Sequence, residues 1–206
     1  MAATYHDRPL PAERRWRLVV CLLLVLLAFS FVGFGAWSTF TSSANTANSI
    51  STGTVVIALG TTGASTNRLN VNATGIGPGD VIQRSVDLIN QGSMNLGSTT
   101  LTTTATTSSL LDSDATNGLQ MAIDRCSVAW TEAGAAPAYT YTCSGSTSTV
   151  LATRAVIGSG LALSNLGSLT AGATDHLRVT LTLPSGADNS FQNQSSTIQY
   201  AFAAVH

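Results

Sequence analysis

His176-Leu177-Arg178-Val179-Thr180-Leu181-Thr182-Leu183 alternates without a break, apolar at each odd position and polar at each even one. A strand throws successive side chains to opposite faces, so this stretch reads as a strand with one buried face. Pro184-Ser185-Gly186 stops it. Downstream, Ile198, Tyr200, Phe202 and Ala204 alternate with Thr197, Gln199, Ala201 and Ala203. Upstream the same period recurs. Tyr139, Tyr141 and Cys143 follow the turn Gly134-Ala135-Ala136-Pro137, and Ile82, Val86 and Leu88 share one face of a strand near 81–90. That strand lies between the turns Gly75–Asp80 and Asn90–Ser93. Residues 96–107 form a Thr-rich strand, and 54–59 a mostly buried one.

Between Leu119 and Trp130 the phase changes. Leu119, Met121 and Ile123 share one parity; Cys126, Val128 and Trp130 share the other. A period-2 pattern changes phase through an inserted residue, so a bulge or bend is expected at Asp124-Arg125. No stretch after residue 38 sustains a helical period. Eight or nine short strands with tight turns imply an all-β protein, an antiparallel sandwich of jelly-roll type.

This domain follows a different kind of segment. An apolar, uncharged run starts at Leu18 and ends with Ala36-Trp37-Ser38; Arg14, Arg15 and Arg17 precede it and no charge follows until Arg68. It reads as an N-terminal hydrophobic signal helix. Small residues at Ala36 and Ser38 suit cleavage between Ser38 and Thr39, and Ser42-x-Ala44 is a second possible site. The run is also long enough to stay uncut as a membrane anchor. Arg14-Arg15 lacks the rest of a twin-arginine motif. The expected organisation is a signal segment over 1–38 and a sandwich domain over 39–206. Its first part, 39–53, is polar and small with Phe40 and Ile50 as its large apolar groups, an extended arm.

After cleavage five Arg face eight Asp and Glu, and the chain has no Lys. Such a chain lacks the phosphate-neutralising surface of a nucleic-acid binder, and contact with a membrane is expected only through an uncleaved N-terminal segment. Cys21 leaves with the apolar run, and Cys126 and Cys143 remain, an even number in an oxidising compartment. A disulfide between them would pin two neighbouring strands; two buried free thiols are the alternative.

Enzyme chemistry finds few footholds. The histidines are His6, His176 and His206, with no metal-binding helix motif and no third ligand beside a His176–Asp175 pair. There is no Gly-x-Ser-x-Gly, and no Lys for a Schiff base or a phosphate loop. Asp112-Ser113-Asp114-Ala115-Thr116-Asn117-Gly118 resembles a calcium loop but has one residue too many and lacks the closing Glu. No catalytic, cofactor or metal residue is assigned.

Gly35-Ala36-Trp37-Ser38-Thr39-Phe40, joined to Ser51-Thr52-Gly53-Thr54-Val55-Val56-Ile57, resembles the start of the TasA/camelysin family of exported bacterial proteins. Pro78-Gly79-Asp80, Asn90-x-Gly92 and the ending Leu183-Pro184 … Phe191-Gln192 … Ile198–Ala204 add to the likeness. The resemblance implies a jelly roll, release by a signal peptidase of the SipW type, and assembly into filaments of an extracellular biofilm matrix. In that assembly the arm of one subunit, here with Thr39, Phe40, Thr41 and Ile50, completes the sheet of the next. The Cys126–Cys143 pair and the Lys-free composition mark a divergent, actinobacterial-type branch. Some relatives are called metalloproteases, and no ligand set here matches that activity. The expected protein is a secreted, non-enzymatic structural subunit whose partner is itself; a camelysin-type hydrolase and an anchored surface adhesin are the alternatives.

Overall fold

The computed structural model describes residues 53–69 and 71–206, with backbone alone over 71–74. The signal segment, the Ser38–Thr39 cleavage point and the arm residues Thr39, Phe40, Thr41 and Ile50 lie outside the described residues. The strands are β1 (Ile57–Leu59), β2 (Val71–Thr74), β3 (Val81–Asn90), β4 (Ser98–Thr107), β5 (Gln120–Cys126), β6 (Thr131–Ala133), β7 (Thr140–Thr142), β8 (Thr147–Ala155), β9 (Gly158–Ala162), β10 (Thr174–Thr182) and β11 (Ser195–Val205). A one-turn helix, α1 (Leu110–Ser113), and a 3₁₀ turn at Asn189–Phe191 complete the elements. Among the described residues no helix is long and apolar enough to cross a membrane.

The stretch of unbroken alternation forms β10, the centre of a five-stranded antiparallel sheet in the order β1-β3-β10-β5-β8. A second sheet runs β2-β11-β4-β9, and β6-β7 is a separate hairpin. Steps β3→β4, β4→β5, β8→β9, β9→β10 and β10→β11 each change sheet. The result is an all-β sandwich of the jelly-roll kind. Leu177, Val179 and Leu181 of β10 are at most 1% exposed. They meet Val86 in β3 and Ile123 and Met121 in β5 in register. Leu101, Leu161 and Ile198 close the core from the other sheet. Each such side chain contributes roughly 1.5–3 kcal/mol by leaving water.

Three expectations change. Val55 and Val56 are 37% and 42% exposed because β1 is an edge strand, hydrogen-bonded on one side to β3 and the turn after it. The bulge expected at Asp124-Arg125 is absent from the pairing of β5 with β10, which runs unbroken from Gln120 to Cys126. Cys126 lies opposite His176, on the outward side, yet is 1% exposed. Parity changes there because both faces of the sheet are covered at that end. The irregularity of β5 falls against β8, where Met121, Ile123 and Asp124 pair with Arg154, Leu151 and Thr149, so the extra residues belong to β8. Third, the cysteines do not sit on paired strands. Cys126 ends β5, Cys143 follows β7, and the bond between them (S–S 1.95 Å, Cα–Cα 5.7 Å) clamps the base of the excursion that carries the β6–β7 hairpin.

Candidate functional site

Two regions of the domain depart from an ordinary sandwich. The first is an incomplete sheet edge. β2 pairs with β11 only over Ser195–Ile198. The rest of β11, from Gln199 to Val205, is bonded to β4 on one side and among the described residues to no strand on the other. Main-chain groups along such an edge are a template for another strand. Beside it, Leu59, Asn67, Leu69, Ile198 and Tyr200 line a groove of about 530 Å³. Tyr200 and Phe202 face the interior but stay partly exposed. Tyr200 Oη is buried with no hydrogen-bond partner among the described residues. Burial pushes its phenol pKa up, and the Arg84 charge only partly opposes this.

The second region is the outward face of the five-stranded sheet under the β6–β7 hairpin. His176 Nδ1 stands 2.7 Å from Asp87 Oδ1, its register partner on β3. Arg178 Nη2 donates to Asp124 Oδ2 at 2.9 Å and its guanidinium lies 4.5 Å from the Trp130 ring. Trp130 Nε1 donates to His176 O at 2.9 Å. Glu132 holds the hairpin to the β1–β2 connection: Arg68 Nη2 and Nε donate to its two oxygens at 2.8 and 3.0 Å, and Tyr141 Oη, from β7 of the same hairpin, adds a third bond at 2.8 Å. The Arg68 bond holds the Glu132 carboxyl below the ordinary carboxylate range.

An Asp–His pair resembles two-thirds of a hydrolytic triad. Across the sheet, Asp87, His176 and Cys126 follow one another in register. The third position is a half-cystine, since Cys126 Sγ is bonded to Cys143, and it offers no thiolate. A His176–Asp175 metal pair is also ruled out geometrically. Neighbours on a strand point to opposite faces. Asp175, fully buried, accepts Gly167 N–H and Ser168 N–H and stands 2.6 Å from Arg125 Nε.

The acidic turn is structural. Asp112 closes a capping box on α1. Asp114 accepts Thr116 and Asn117 N–H at 2.8 and 2.9 Å. Among the described residues no three His, Cys, Asp or Glu gather as a metal site would require. Catalytic zinc takes three protein ligands, so the donors among the described residues do not fit a peptidase metal.

Sequence reasoning passed over Asp87, Arg84 and Tyr200. The readable signal was at Arg84: it shares the inward parity of Ile82, Val86 and Leu88, where a charge does not belong.

No curated protein matches the chain. A family model described as camelysin metallo-endopeptidase matches residues 15–206. That match begins in the arginine cluster before the apolar run and extends through the sandwich to the last residue, and on that ground the chain belongs to the TasA/camelysin family.

Proposed function

We propose that this protein is a secreted, non-enzymatic structural subunit that assembles with copies of itself at the cell surface. The leading arm of one subunit, Thr39–Ser49, would add as a strand to the sheet edge of the next. The observation that carries the reading is the half-covered β11, with Gln199–Val205 lacking a strand neighbour among the described residues and a groove of mixed polar and apolar lining beside it. Strand addition uses main-chain hydrogen bonds and asks little of side chains, which suits an arm of small polar residues. The Cys126–Cys143 disulfide fits an oxidising compartment. Export would run through the apolar segment, with a signal peptidase of the SipW type cutting between Ser38 and Thr39. The partner is the protein itself; nucleic acid has no place in this reading, and the membrane enters only through an uncut N-terminal segment.

The test compares the chain starting at Thr39 with one lacking 39–49, by electron microscopy and light scattering. The first should form filaments and the second should stay monomeric. Equal behaviour of the two counts against the proposal. The family's peptidase name favours one rival: casein degradation that is lost with EDTA and depends on His176 would replace the structural reading with a hydrolytic one.

A further inference from the structure

Arg84 occupies an inward-facing position of β3, opposite Val179 of β10 and flanked on its own face by Ile82 and Val86. It is 5% exposed. Of the five described arginines, Arg68, Arg125 and Arg178 each pair with a carboxylate and Arg154 is exposed. Arg84 has no carboxylate partner among the described residues. Its hydrogen bond there is from Nη1 to Gln83 O, at 2.7 Å, which leaves Nε and Nη2 without an acceptor among the described residues. A buried ion without a counter-charge is the costly case.

The guanidinium lines two clefts. One, of about 330 Å³, also has Thr62, Asn67, Arg68, Pro137 and Tyr139 in its wall. The other, of about 290 Å³, includes Asp80, whose Oδ2 already accepts Gly77 N–H at 2.7 Å. Arg68 and Arg84 stand 4.7 and 5.5 Å from the centre of the Tyr139 ring. Glu132 neutralises Arg68, and no described residue neutralises Arg84. Burial pulls the Arg84 pKa below its ordinary value and outweighs the opposing influence of Tyr141, Tyr139 and Tyr200, so an anion in the cleft would favour the charged form.

We propose that the cleft between Arg84, Arg68 and Tyr139 binds a small organic carboxylate, held by Arg84 Nε and Nη2, with its apolar body against Pro137 and the Tyr139 ring. One unbalanced guanidinium fork matches one planar carboxylate better than a multiply charged phosphate. The cleft volume lies at the small end of ligand sites. The cleft shares Thr62 and Asn67 with the groove beside β11, but the proposal does not rest on the assembly reading.

Calorimetric titration of the full chain with benzoate, and with benzamide as its neutral analogue, tests the proposal. Benzoate should bind saturably and benzamide should not. R84Q should weaken benzoate by at least about tenfold, the loss expected for hydrogen bonds to a charged group. Thr62 is exposed on the turn at the cleft mouth, so T62W should block binding without touching the core and stands in if R84Q does not fold. Removal of 39–49 should leave benzoate binding unchanged. The proposal fails if benzoate does not saturate, if benzamide binds equally, or if T62W and a folded R84Q bind as wild type does. It also fails if a capped Glu-containing peptide binds through Arg84 where benzoate does not, since the cleft would then dock a protein.

Discussion

Removing the Asp112 carboxylate should open the seam between α1 and the start of β11. Asp112 is 7% exposed, and its oxygens accept Ser108 Oγ at 2.8 Å, Ser109 N–H at 2.7 Å and Ser196 Oγ at 2.6 Å. Ser196 is fully buried and keeps one further neighbour, Ser109 Oγ at 2.7 Å. D112A leaves the Ser109 cap in place and removes the reciprocal half of the capping box, costing up to about 1 kcal/mol, and stranding buried donors costs about another 1–2 kcal/mol, so D112A should lose roughly 2–3 kcal/mol. In a domain of this size that lowers Tm by about 5–10 °C. D112N, which keeps an acceptor but no charge, should lose about half as much.

The pH dependence has a definite sign. Burial acts to raise the Asp112 pKa; the hydrogen bonds from Ser196, Ser109 and Ser108 outweigh it and hold the carboxyl below its ordinary value of 3.8. A group depressed in the folded state adds stability that is complete above its unfolded pKa and is lost as pH falls through the folded one. The gap between wild type and D112A is therefore widest at neutral pH and narrows as the pH falls below the ordinary value of 3.8. Urea unfolding of both proteins across that range is the assay. A D112A protein as stable as wild type at neutral pH, or a gap that does not change with pH, would refute the reasoning.

Two further outcomes follow from the geometry. The Cys126–Cys143 bond closes a loop of about 18 residues, so C126S/C143S should lose on the order of 3 kcal/mol in denaturant melts, and a loss under about 1 kcal/mol would mean that the hairpin's ion pairs suffice as its clamp. A Cβ on Gly92 would stand 2.2 Å from Thr54 O and 2.9 Å from Val56 N. G92A should therefore push residues 54–56 off the end of β3 at about 1–3 kcal/mol, read as faster hydrogen exchange at the Gln91 and Ser93 amides, which donate to Val56 O and Thr54 O. Unchanged exchange at those two amides would contradict it.

How much of this was legible in the chain varied with the element. β10 and β11 could be read directly, because Leu177–Leu183 and Ile198–Ala204 alternate at the period of a pleated strand. β8 and β9 were passed over: Thr147–Ala155 and Gly158–Ala162 are small and polar, and edge positions require no apolar stripe. The phase change at Cys126 was visible, but its cause was misplaced, since a covering hairpin buries a residue as effectively as a bulge turns it inward. Asp112 looked like part of a cation loop because its acceptor role depends on Ser196, 84 positions away.

Local order therefore determined a great deal: the strand period, the all-β class, the uncharged apolar run before residue 38, and the two cysteines beyond it. These depend on side chains a few positions apart, where the backbone repeat alone decides which face each one takes. Only the tertiary structure decided that β2 stops short and leaves half of β11 without a strand neighbour among the described residues, that Asp87 meets His176, and that Arg84 is buried beside two clefts with no carboxylate partner among the described residues. Pairing partners and missing counter-charges arise between residues far apart in the chain, and no local pattern encodes which of them will meet.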